Sequence, residues 1–108
     1  MTFDEYQVES NKNAQYPKES ALYYWGWGLT GEAGEVAEKL KKVLRNDGGV
    51  ISEEKKLEIK KEIGDVLWYA AQLSTILEIS FDEVAQGNID KLSDRLARGV
   101  VKSDGDNR

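Results

Sequence analysis

Apolar positions recur at steps of three and four residues along most of the chain, the signature of helices with one buried stripe. On a wheel with Leu22 at the origin, Leu29, Val36 and Leu40 fall within about 40° of it, with Trp25 and Val43 near −60°. A second stripe runs through Ile59, Ile63, Val66, Ala70, Leu73 and Leu77. Capping and turn residues divide these stripes into elements. Thr2-Phe3-Asp4-Glu5 reads as a capping box opening a first helix to about Asn13, and Tyr16-Pro17 breaks it. Pro17-Lys18-Glu19-Ser20 leads into a second helix ending near Arg45, stopped by Asn46-Asp47-Gly48-Gly49. Ser52 with Glu53 and Glu54 starts a third helix to about Leu77. Ser80-Phe81-Asp82-Glu83 is a capping box for a fourth that stops before Gly99. Residues 1–98 therefore read as one helical domain and 99–108 as a tail of loop composition. With no strict period-two alternation, the expected fold is an all-α four-helix bundle with short loops.

Composition restricts the chemistry mainly through absences. A chain of 108 residues suits one compact domain, and it holds neither cysteine nor histidine. Thiol nucleophiles, thiolate metal sites, the commonest general base and the usual zinc ligands are thereby excluded. Catalysis must rest on carboxylates, Lys, Arg, Tyr or Ser, and carboxylates favour hard cations such as Mg²⁺ or Mn²⁺. A net charge of −5 argues against a nucleic-acid polymer as partner. No apolar run approaches the ~20 residues of a membrane span. The polar, acidic start MTFDEYQVES does not look like a signal peptide, so no membrane partner and a cytoplasmic location are expected. Gly26-Trp27-Gly28-Leu29-Thr30-Gly31 spells G-x-G-x-x-G, but dinucleotide binding needs a βαβ unit that nothing after residue 50 supplies.

The acidic residues are unequal. On the wheel, Glu32 lies at the edge of the apolar stripe beside Trp25 and Val43, Glu35 about 60° further round, and Glu38 almost opposite. Glu38 has Lys41 and Lys42 at i+3 and i+4, and Glu35 has Lys39 at i+4, but Glu32 has no basic helical neighbour. On the next helix Glu62 borders the stripe near Leu73 and Tyr69, and Asp65 sits outside it with Lys61 four residues before. Two antiparallel helices thus each carry a carboxylate pair at i,i+3 with one member facing inward. Facing each other, Glu32, Glu35, Glu62 and Asp65 would form a cage that requires cations.

This pattern, GEAGEVAE at 31–38 followed by EIGDVL at 62–67, resembles the MazG-like all-α nucleoside triphosphate pyrophosphohydrolases. The resemblance extends upstream to Tyr6-Gln7 and Tyr16-Pro17. Downstream it takes in Asn88-x-x-Lys91-Leu92-x-x-x-Arg95 and the tail ending Asp104-Gly105-Asp106-Asn107-Arg108. One departure is that Thr30-Gly31 precede Glu32 where some relatives carry two adjacent glutamates. The resemblance implies the family's all-α fold and Mg²⁺-dependent cleavage of a (d)NTP into the monophosphate and pyrophosphate, in nucleotide-pool cleaning or dNTP supply. It also implies Glu32, Glu35, Glu62 and Asp65 as metal ligands, and Asn88, Lys91 and Arg95 as phosphate contacts. Tyr16 matches an aromatic position that contacts the base, and Tyr69, one turn beyond Asp65, is a second candidate. With no histidine, a cage acid must take the proton of the attacking water. Glu35, on the flank, is the expected base.

Tyr23, Tyr24, Trp25, Gly26 and Trp27 make a dense aromatic patch in which Trp27 projects away from the stripe. A large apolar side chain off the core points to a subunit interface, and family members form homodimers or homotetramers. The resemblance of the tail suggests a segment that folds over bound triphosphate. Two other readings fit the acidic stripe: a non-catalytic helical interaction module, and a nucleotide sensor that binds without turnover.

Overall fold

The computed structural model describes residues 1–99. Among them are four helices: α1 (Phe3–Asn11), α2 (Lys18–Asp47), α3 (Glu53–Ile76) and α4 (Phe81–Arg98). The expected elements are present, with ends within about two residues of those read from the capping signals. Thr2 and Glu5 form the capping box of α1, and Gly48, in the left-handed region at φ 61°, ends α2. Ser52 Oγ accepts from Lys55 N–H at the start of α3.

Long α2 and α3 pack as an antiparallel pair, α1 lies against α3, and α4 packs mainly on α1, barely on α3 and not on α2. This arrangement moves the core away from the centre of the expected stripe. Ala21, Trp25 and Val43 are buried, whereas Leu22 is 38% and Leu40 45% exposed. Ile63 and Leu77, counted in the α3 stripe, are also exposed, and Ala71 and Ser74 are buried instead. The physical reason is that α2 has one helical partner, which covers only one edge of a broad apolar stripe. Aromatic rings line the seam, with Trp25 meeting Trp68 edge-to-face at 5.3 Å and Tyr69 at a tilt at 6.0 Å.

Polar contacts place α1 and α4. Gln72, 1% exposed, donates from Nε2 to Ser10 Oγ (2.8 Å) and accepts from Asn11 Nδ2 (3.0 Å). Asp4 accepts from Ser80 Oγ (2.8 Å) and Asp82 N–H (2.9 Å), while its own N–H donates to Asp82 Oδ1 (3.2 Å). Gln7 accepts from Phe81 N–H (3.0 Å) and donates to the Ile79 carbonyl (2.8 Å). Two helix N-termini are thus tied together by carboxylates, the charge that such termini favour. Ser80 Oγ also accepts from Glu83 N–H at 3.2 Å, so the hydroxyl both caps α4 and serves Asp4.

Candidate active site and metal centre

The antiparallel register of α2 and α3 sets the order of facing residues. Lys39 meets Glu58 and Glu62, Glu32 meets Glu62 and Asp65, and Trp25 with Gly28 meets Tyr69. At the middle step Glu32, Glu62 and Asp65 each offer one carboxylate oxygen, all within 4.8 Å of one another. Glu32 and Glu62 are half-buried and Asp65 is exposed, so the trio opens outward from the helix seam.

Like charges at this spacing are costly without a counter-charge. Partial burial raises the Glu32 carboxyl above its ordinary value, and Asp65 and Glu62 push it further. The Lys39 ammonium approaches Glu62 and Glu58 at 3.9 Å each. Three hard oxygen donors, with one distant ammonium as their visible compensation, fit an oxygen-coordinated divalent cation. Glu35 is exposed and stands outside the trio, although its charge still acts on Glu32. Three of the four sequence-expected acids are therefore gathered, and the fourth stands beside them. Glu38 faces solvent and pairs with Lys41 (3.0 Å) and Lys42 (3.7 Å), as the wheel predicts.

The base candidates occupy one end of the same seam. A Cβ on Gly28 would fall inside the Tyr69 ring, coming within 2.6 Å of its Cζ, so the glycine is the slot that admits the ring. Burial raises the Tyr69 phenol above its ordinary value, as do a hydrogen bond with Tyr24 and the charges of Glu32 and Asp65. The phenol therefore keeps its proton and stands near the acids as a hydrogen-bond donor. Tyr16 stacks flat on Tyr24, centroids 3.8 Å apart. Asn88 and Lys91 are exposed on α4 and Arg95 is 3% exposed. All three sit on α4, which touches α3 only slightly and α2 not at all. The expectations for the tail fall on residues outside those described.

Two residues of this neighbourhood stand where their spacing in the sequence does not put them. The i+4 spacing pairs Lys39 with Glu35, but its ammonium reaches across to α3 instead. Tyr6 of α1 is close enough to Asp65 for that charge to raise its phenol further, after burial. The signal for Lys39 lay in the register of the two helices, which i,i+4 counting does not contain.

Residues 25–99 match the MazG nucleotide pyrophosphohydrolase domain, a span that holds all three members of the trio and the whole of α4. The Gene 37 protein of Mycobacterium phage L5 is 43% identical over 114 residues, covering 100% of both chains. No solved structure matches. With its acidic trio inside a match that covers well over half of its length, the chain belongs to the MazG nucleotide pyrophosphohydrolase family.

Proposed function

We propose that the chain is a Mg²⁺-dependent nucleoside triphosphate pyrophosphohydrolase, with Mn²⁺ able to substitute, converting a (d)NTP into the (d)NMP and pyrophosphate. The observation that supports it most is the convergence of Glu32, Glu62 and Asp65 on one 4.8 Å cluster within the family match. A divalent cation held there would neutralise the polyphosphate and acidify water. Glu32, Glu62 and Asp65 supply its oxygen ligands, with Glu35 joining from the flank. Glu35, exposed beside the trio, accepts the proton of the attacking water, a role that no other residue type in this chain suits better. Asn88, Lys91 and Arg95 hold the phosphates, while Tyr16 and Tyr69 flank the base.

Because α4 does not touch α2, we take the working unit to be a homodimer or homotetramer in which a second copy completes the site. Exposed Leu22, Trp27 and Leu40 on α2 support such an association. The place of action is the cytoplasm, in nucleotide-pool cleaning or dNTP supply. Product analysis tests the reaction. Incubation of the full chain with Mg²⁺ and each (d)NTP is expected to give monophosphate and pyrophosphate in equal amounts. Diphosphate with free phosphate, or stoichiometric binding without products, would contradict it.

A further inference from the structure

The α2–α3 register sets three kinds of group in a row along the seam. Trp25 and Gly28 with Tyr69 stand at one end, the acidic trio in the middle, and Lys39 at the other. Gly28 and Lys39 lie eleven residues apart, roughly 16 Å of rise at 1.5 Å per residue. A nucleoside triphosphate laid along the seam has that scale. With its base on the rings and its phosphates at a cation held by the trio, its distal end points at Lys39.

The contacts of Lys39 are those of a charge held ready rather than one already satisfied. Its neighbours Lys41 and Lys42 pair with Glu38 on their own helix, at 3.0 and 3.7 Å. Lys39 instead turns into the seam, where it is half-buried. It stands 3.9 Å from Glu62 and 3.9 Å from Glu58, and neither contact is short enough for a hydrogen bond. Its three N–H donors are therefore not engaged by these carboxylates. Glu58 is already served by Lys55, whose Nζ donates to it at 3.1 Å. A divalent ion at the trio takes over the charge of Glu62 and loosens the remaining tie. Asn88, Lys91 and Arg95 sit on α4, which does not touch α2. Lys39 is thus the cation that the seam itself brings to a polyphosphate.

We propose that Lys39 binds the β- and γ-phosphates of the substrate, and the pyrophosphate they become, and so sets the direction in which the nucleotide lies along the seam. The assignment rests on the nucleotide reading above. A flexible four-carbon stem lets the ammonium leave Glu62 and meet phosphate oxygens without moving either helix. Removing it has opposite consequences for the two ligands. Glu62 loses a competing cation, so the divalent ion binds at least as well, while pyrophosphate loses a charge-assisted hydrogen bond.

Calorimetry on the full chain reads both, with Mg²⁺ alone and with inorganic pyrophosphate added in its presence. Lys39→Met should weaken pyrophosphate by about tenfold or more and leave Mg²⁺ at least as tight. Lys39→Arg, which keeps the charge, should restore most of the loss. Inhibition by the dNMP product, which carries the base but no distal phosphate, should be unmoved. A merely structural lysine would weaken both ligands together. If Lys39→Met binds pyrophosphate as the wild type does, or loses Mg²⁺ along with it, the proposal is overturned. It is overturned equally if the wild type binds no pyrophosphate. Should Lys39→Met not fold, Lys39→Gln takes its place under the same criteria. If no triphosphate is hydrolysed but pyrophosphate binding still falls with Lys39, the contact stands and only the hydrolase is removed. Intact turnover with unchanged pyrophosphate affinity removes Lys39 alone.

Discussion

The glycines of α2 do different jobs, and single substitutions separate them. Gly28 faces the Tyr69 ring, whereas Gly31 and Gly34, on either side of Glu32, face open space. Gly28→Ala should cost about 1–3 kcal/mol in urea unfolding, because the ring or the helix must move. Gly31→Ala should instead stabilise by about 0.5–1 kcal/mol, the ordinary gain of alanine inside a helix. At Glu32 the raised carboxyl reflects burial and three acidic neighbours, Asp65, Glu62 and Glu35, so Glu32→Gln should raise the melting temperature of the metal-free protein. The same variant should lose the stabilisation that added Mg²⁺ confers on the wild type. The inward set of Glu32 and the solvent-facing set of Glu38 were legible from the 3.6-residue period alone. The cross-helix reach of Lys39 and the slot at Gly28 were not, since each depends on which α3 residue stands opposite.

Helix ends were legible because Thr2, Ser52, Ser80, Gly48 and Gly99 satisfy or terminate backbone groups locally. How the helices meet was not. Nothing in the periodicity of α1 or α4 states that Asp4 and Asp82 exchange hydrogen bonds. This junction carries a pH signature. The backbone N–H of Asp82, then the Ser80 hydroxyl, hold the Asp4 carboxyl below its ordinary 3.8. A depressed carboxyl stabilises the fold fully above the unfolded value, and that contribution is lost as pH falls through the folded value. Melting temperature should therefore drop as the protein is acidified below 3.8, and Asp4→Asn should flatten the acid limb of the profile. An unchanged limb in Asp4→Asn would show that the junction does not sense pH.

The molecule as a whole is more open than its length suggests. Its radius of gyration is 16.7 Å, against about 13 Å for a compact chain of 100 residues. Much of the apolar stripe of α2 is uncovered, and Trp27 is 75% exposed. Light scattering should give the mass of two or more chains, and Trp27→Glu should shift it toward one; a wild-type monomer would refute the completed-site arrangement. The four-helix content was readable from sequence, but the uncovered stripe was not, because periodicity reports that a face is apolar without saying what covers it. The most direct test of the central claim is pyrophosphate release from dNTPs by wild type, Glu32→Gln and Asp65→Asn, each with Mg²⁺ and with chelator. Turnover should require the cation and fall by at least about a hundredfold in both variants, the scale of losing a catalytic metal contact. Turnover that survives chelation, or that both variants retain, would contradict it.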